Sequence, residues 1–251
     1  MLISGFSTSP EQFAEDQGAR LLEFSKAISE SNCEVALFPE TAITGFYPER
    51  EELYFERNVP EGPFIRFSQL ATAAGSSIVA GIAEVRNGFH FNSAVVFEPS
   101  GECVTTYDKR HPFELAGEGA VITPGLQDPV FTVGSLIFSL RICYDLRFPE
   151  DFHHKSDRPD VVIVLANWPT SRSDHWEALL RARAIEGEVN IIGLNRSGID
   201  DSGQTFDGSG LAYNPLGIRY ENLSSRPNGQ FTWDVSPRNE FRTVGRVGTN
   251  K

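Results

Sequence analysis

Cysteine is scarce in this chain. Cys33, Cys103 and Cys143 are the three in 251 residues, an odd set that argues against a disulfide framework and for a reducing compartment. No Cys-x-x-Cys pair occurs, so no structural zinc site is expected. The adjacent His153-His154 pair points its rings in different directions on a helix or a strand, and no metal or other cofactor is expected there or elsewhere. Positive charge is also in deficit: 22 Lys and Arg stand against 34 Asp and Glu, a formal net charge of -12. Such a field repels nucleic acid and anionic membranes, so neither is expected as a partner. Long apolar runs are missing, and the opening Met1-Leu2-Ile3-Ser4-Gly5-Phe6 has no basic flank. Neither a membrane span nor a signal peptide is expected, which leaves the cytoplasm as the default. There is no internal repeat or low-complexity segment, and the length suits a single domain over residues 1–251.

Cys143 carries the most chemical information. The run from Val133 to Ile142 reads as a strand that ends at the cysteine, followed by the polar Tyr144-Asp145 and Arg147. A thiol at such a junction can be exposed while its backbone stays rigid, and the next N–H, that of Tyr144, can serve as an oxyanion donor. Two further strands end in chemistry. Val35–Phe38 leads into Pro39-Glu40, and Cys103–Tyr107 leads into Asp108-Lys109. If these strands are neighbours in one sheet, a nucleophile, a general base and a cation meet at one edge. Each residue alone also fits an ordinary role: Cys143 in the core, Glu40 in a solvated loop and Lys109 as surface charge.

The blocks around these residues resemble the nitrilase superfamily of carbon–nitrogen hydrolases. Phe38-Pro39-Glu40 with Thr44-Gly45-Phe46, then Tyr107 to Phe113, then Cys143 to Pro149 are similar to its glutamate, lysine and cysteine blocks. Gly117-Glu118 with Pro124-Gly125 resembles the segment that carries a second glutamate. The likeness continues through Ala166-Asn167-Trp168-Pro169, Arg172, His175-Trp176, Leu179 to Glu186, Asn195 to Gly198, Asp207 to Gly210 and Pro215-Leu216-Gly217. It departs at Pro112, where the lysine block usually has leucine, and at the short segment after Asn239.

The resemblance implies a four-layer αββα sandwich of mixed α/β class that pairs into a homodimer. It implies hydrolysis through a thioester, with Cys143 as nucleophile, Glu40 as base and Lys109 with the Tyr144 N–H at the oxyanion. Glu118 would orient Lys109 or position the substrate. The similarity is greatest to the bacterial ω-amidase branch, which deamidates 2-oxoglutaramate and 2-oxosuccinamate. The alternatives are a hydrolase of N-carbamoyl amines, other small amides or nitriles, or a non-catalytic relative.

Arg147, four residues past Cys143, could hold a distant substrate carboxylate in a bidentate fork, or could pair with Asp145 or Glu150. Lys109 and Arg172 could add to a local basic pocket. Phe46, Phe113 and Trp168 are candidate pocket walls, though aromatic residues also build cores.

Elsewhere the pattern predicts a first strand at 2–7 and an amphipathic helix from Glu11 to Ser29, with Ala14, Leu21, Leu22 and Ile28 on its inner face. A helix spans Pro63 to Ala74 and stops near Gly75. Strands at Ser77–Glu84 and His90–Phe97 are joined through Asn87-Gly88, a strong hairpin signal. A buried strand is expected at Val161–Leu165. A helix from Asp174 to Glu186, capped by Asp174, presents Trp176, Leu179, Leu180 and Arg183, and a strand follows at Asn190–Leu194. Ser209 to Val235 looks like a β-meander, and Ile199 to Gln204 like a solvated turn that could also border the pocket.

Overall fold

The computed structural model describes residues 1–10, 17–153, 158–224 and 229–241. Two mixed sheets lie face to face. The first has the order β13-β1-β2-β3-β4-β5, from Gln230–Asp234, Leu2–Phe6, Val35–Phe38, Ser77–Arg86, Phe89–Phe97 and Cys103–Asp108. The second has the order β12-β9-β8-β7-β6, from Gly210–Tyr213, Asn190–Asn195, Val161–Ala166, Leu136–Ile142 and Val130–Val133. A short ribbon pairs β10 (Ser197–Ile199) with β11 (Thr205–Asp207).

The sheets are joined by a core that includes Leu37, Val79 and Val96 from the first and Leu140, Ile163 and Ile192 from the second. The outer face of the first sheet is covered by α1 (Gln17–Ser31) and α2 (Pro63–Ala74), through Ile28, Phe67 and Leu70. The outer face of the second is covered by α3 (Ser173–Gly187), through Trp176, Leu180 and Ala184. This is the expected αββα order. The all-buried Val161–Ala166 suits a strand sandwiched on both faces in a parallel run, and β8 pairs parallel with both β7 and β9.

Several local expectations hold. Asn87 and Gly88 have φ of 52° and 79°, the two positive values a tight hairpin turn needs, and Arg86 pairs with Phe89 across it. Gly75 ends α2 in the left-handed region, its N–H bonded to the Ala71 carbonyl.

Others need correction. The apolar run from Val133 is not one strand: Gly134 and Ser135 turn it into the β6–β7 hairpin. Leu22 faces solvent at 73% exposure, whereas Ile28 is buried as expected, with Ala27 beside it. Asp174 is not the cap of α3, because the helix begins at Ser173 with Arg172 before it and no side-chain cap. The expected meander splits: β12 pairs with β9, whereas β13 crosses to the other sheet and pairs with β1. Long-range pairing decides that choice, and local turn residues do not encode it. Ala14, His154 and the tail from 242 lie outside the described residues.

Candidate active site

The functional side chains stand at the carboxyl ends of strands from both sheets. Glu40 follows β2 and Lys109 follows β5 in the first sheet; Cys143 follows β7 and Asn167 follows β8 in the second. The three strands of the expected triad are therefore not neighbours in one sheet. β3 and β4 separate β2 from β5, and β7 belongs to the opposite layer. Face-to-face packing of the sheets is what brings the residues together.

Cys143 occupies a strained position. Its φ is 46°, in the left-handed region that a side chain with Cβ rarely adopts, and it starts a 3₁₀ turn over Cys143–Arg147. Asp145 holds that turn. Its buried carboxylate accepts the Ile142 N–H at 3.0 Å, the His111 N–H at 2.9 Å and the Tyr107 hydroxyl at 2.8 Å. It thereby ties the cysteine turn to the lysine segment. Burial pushes its acid strength down, and these three donors oppose that shift.

Glu40 and Lys109 lie at the base of a cavity of about 330 Å³ that also touches Cys143. Both are about 1% exposed. The Lys109 ammonium donates to Glu40 Oε1 at 2.9 Å and lies 2.8 Å from Glu118 Oε2. Asn92 Nδ2 bridges the two carboxylates, at 2.8 Å from Glu40 Oε1 and 2.9 Å from Glu118 Oε1. Glu40 Oε2 takes the Asn167 N–H at 2.7 Å and Asn167 Nδ2 at 3.1 Å. The Cys143 thiol donates to the Asn167 carbonyl at 3.8 Å, so Asn167 touches both Glu40 and Cys143.

The charges are coupled. Burial alone would raise the Glu40 pKa, but Lys109 and the donors from Lys109, Asn167 and Asn92 outweigh it and hold the carboxyl below its usual range. Burial opposes the Lys109 charge, yet Glu40 and Glu118 raise its pKa well above normal. Burial, then Glu40, pushes the Cys143 thiol well up, with Lys109 pulling the other way. The resting state is a neutral thiol beside an ionised Glu40–Lys109 pair.

Phe46, Phe113, Tyr144, Arg147 and Trp168 all line the same cavity, as does Arg172. Phe46 sits with its ring 5.1 Å from the Lys109 ammonium. Glu118 is outside the cavity lining; it is fully buried behind Lys109 and anchored by the Phe113 N–H at 2.6 Å, which fits orienting the lysine. Arg147 stacks over Trp168 at 4.9 Å and approaches His175 Nδ1 at 3.4 Å. Among the described residues it has no ion pair with Asp145 or Glu150. The 199–204 segment is a turn as expected, with Asp200 Oδ1 accepting the Ser202 and Gln204 N–H groups, but it also borders the cavity through Asp200, Ser202 and Gln204.

Sequence reasoning missed Asn92. The signal was present: Asn92-Ser93 stands just before the apolar Ala94–Phe97 run of its strand, and both side chains are buried. It also left Asn167 without a role, and it missed Gly81. A Cβ there would stand 2.4 Å from the Glu40 Cα and from the Pro39 carbonyl oxygen, so only glycine lets β3 pass the Glu40 backbone.

The carbon–nitrogen hydrolase family profile matches residues 11–236. The chain belongs to the carbon–nitrogen hydrolase family. An omega-amidase, YafV, from Yersinia enterocolitica is 31% identical over 185 residues, covering 73% of this chain and 70% of the relative. A 2-oxoglutaramate amidase from Bacillus subtilis is 31% identical over 198 residues, covering 78% and 75%. Among solved structures, XC1258 from Xanthomonas campestris, a CN-hydrolase superfamily protein with an arsenic adduct in the active site, superposes with a TM-score of 0.85 at 25% identity, covering 98% of this chain and 94% of that one. The nitrilase-superfamily resemblance of the blocks and the αββα architecture thus agree, and this hydrolase acts on carbon–nitrogen bonds. Among the described residues no helix is long and apolar enough to cross a membrane.

Proposed function

We propose that this hydrolase removes the terminal amide of small keto-acid amides, 2-oxoglutaramate and 2-oxosuccinamate, releasing ammonia. The observation that carries the chemistry is the left-handed Cys143 sharing one cavity with the buried Glu40–Lys109 pair. The substrate class is supported by Arg147 and Arg172 on the wall of that cavity, in a chain whose overall charge is -12, and by the names of the two amidase relatives.

In this reading the Cys143 sulfur attacks the amide carbon as its proton passes to Glu40. The Lys109 ammonium and the Tyr144 N–H hold the developing oxyanion. Glu40 returns the proton to nitrogen, the C–N bond breaks and ammonia leaves a thioester. Glu40 then takes a proton from water, whose oxygen adds to the thioester carbon. The C–S bond breaks, and the proton returns to sulfur. Because the thiol pKa is high and the Glu40 pKa low, proton transfer is uphill in the free enzyme and must be coupled to C–S bond formation. Asn167, Asn92 and Glu118 are positioning residues. Arg147 binds the far carboxylate, with Trp168, Phe46 and Phe113 as walls.

The same reading makes residues 1–251 one catalytic domain that works as a homodimer, so light scattering at micromolar concentration should give twice the 27.8 kDa chain mass. The functional test is ammonia release from a panel of small amides, N-carbamoyl amines and nitriles by wild type and Cys143→Ala. The keto-acid amides should lead by at least tenfold in kcat/KM and the alanine variant should be inactive. A lead for neutral amides or N-carbamoyl compounds overturns the substrate assignment.

A further inference from the structure

Arg66 is a buried cation that the Cys143 cavity does not use. It lies in the first turn of α2 and is only 7% exposed. Other buried arginines have acidic partners: Arg141 pairs with Asp128 at 2.8 Å and bonds the Asp151 carbonyl, and Arg183 pairs with Glu186 at 2.7 Å and bonds the Leu146 carbonyl. The Arg66 guanidinium has no hydrogen bond or ion pair among the described residues. Burial pulls its pKa down from the usual value, opposed by the field of Glu61.

Arg66 lines a second cavity, of about 560 Å³, whose walls include Ile43, Leu53, Phe55 and Val59. The start of α2 opens on the same space. Gly62, its N-cap, and Pro63 both line it, and no side chain caps the helix. The helix start adds no free N–H to this wall, because Gly62 N–H bonds the Val59 carbonyl, Pro63 has none and Arg66 N–H bonds the Gly62 carbonyl. The unpaired Arg66 guanidinium is therefore the donor that faces this largely apolar hollow. Arg50 on the wall is already neutralised by Asp201 at 2.6 Å. Among the described residues Glu61 is the remaining carboxylate of the lining, and it is solvent-exposed and makes no ion pair with Arg66.

We propose that this hollow is a second anion-binding site, separate from the Cys143 cavity, which takes a small organic monocarboxylate with an aliphatic body. One uncompensated guanidinium matches one carboxylate, and its planar fork suits that group. Glu61 at the wall disfavours a dianion such as phosphate. The apolar walls accept the hydrocarbon body. The Asp200–Ser202 turn faces both cavities, since Asp201 lines this one while Asp200 and Ser202 line the other.

The test is titration calorimetry on the full chain with 4-methylpentanoate at low ionic strength. Wild type should bind, Arg66→Met should bind at least tenfold more weakly, and Arg147→Met should match wild type, which separates this site from the Cys143 cavity. Glu61→Gln should bind severalfold more tightly because the opposing carboxylate is gone. The neutral 4-methylpentan-1-ol should bind at least tenfold more weakly than the acid, and inorganic phosphate no better than chloride. If Arg66→Met does not fold, Arg66→Lys replaces it, with a severalfold loss expected. The proposal is overturned by no binding to wild type at about 20 mM ligand, well beyond weak millimolar affinity. It is overturned equally by unchanged affinity in the Arg66 and Glu61 variants, or by loss of binding in Arg147→Met alone.

Discussion

Gly81→Ala tests whether Glu40 is held in place by its backbone neighbours. Gly81 lies inside β3, where its φ suits any residue, so the substitution adds a methyl group and nothing else. That Cβ would stand 2.4 Å from the Glu40 Cα, 2.4 Å from the Pro39 oxygen and 2.7 Å from the Thr41 nitrogen. These are backbone atoms that cannot rotate away, and ordinary contact requires about 1 Å more. The Ala42 N–H to Gly81 carbonyl bond at 2.9 Å and the Gly81 N–H to Pro39 carbonyl bond at 3.2 Å must lengthen as the chains part. A displacement of about 1 Å at a catalytic group costs on the order of a hundredfold in rate. Overpacking of this kind also costs about 1–3 kcal/mol of stability, each kcal/mol lowering Tm by about 2–4 °C at this size. The assay is ammonia release with kcat and KM separated, beside thermal unfolding. kcat should fall about a hundredfold while KM changes little, because Arg147 and Trp168 belong to other segments. Gly88→Ala is the control: nothing lies within 4 Å of its Cβ, so only the strain of φ +79° remains, and kcat should be unchanged. Wild-type kcat in a folded Gly81→Ala enzyme would refute the claim that this contact sets the position of Glu40.

Glu40→Gln should lower kcat by roughly two orders of magnitude or more, because no base remains to move the thiol proton. The same change removes a negative neighbour of Cys143, so the thiol pKa should fall and its modification by methyl methanethiosulfonate should begin at lower pH than in wild type. Lys109→Ala should cost about a hundredfold in kcat/KM through loss of the oxyanion partner. Arg147→Lys should raise KM for 2-oxoglutaramate by about ten- to a hundredfold, the loss of one charged contact, and leave neutral short amides nearly unaffected. Stability should also depend on pH through Glu40. Its folded pKa is depressed, so its contribution is complete above the unfolded value of 4.5 and is lost as pH falls through the folded pKa; Glu40→Gln should flatten that acid limb in denaturant titrations at pH 2–6.

The sequence made legible what is local. Strands ending in Glu40, Lys109 and Cys143, the Asn87-Gly88 hairpin and the Gly75 stop depend on backbone preferences within a few residues, and each appears where expected. The mixed order of strands and helices suits two sheets packed face to face, the resemblance implies the same sandwich, and it also implies the meeting of the three blocks. What stayed hidden depends on distant pairing. Nothing near Gln230 says that β13 crosses to β1, and nothing near Glu40 says that its partner cysteine sits in the other sheet. The network around the carboxylates was hidden for the same reason. Asn92 is an ordinary polar residue until β4 packs it between Glu40 and Glu118, and Gly81 matters only because another backbone runs against it. On α1 the helical offsets place Ile28 correctly in the core, but Leu22, eight residues past Ala14 in the same pattern, faces solvent.

The central claim is that Cys143 forms a thioester with the acyl part of an amide. The most direct measurement is intact-protein and peptide mass spectrometry after acid quench of enzyme mixed with 2-oxoglutaramate. The account predicts an adduct equal to the amide less ammonia, on the peptide containing Cys143, appearing within the first turnover and absent in Cys143→Ala. Turnover without any adduct, or an adduct on Cys33 or Cys103, would contradict it.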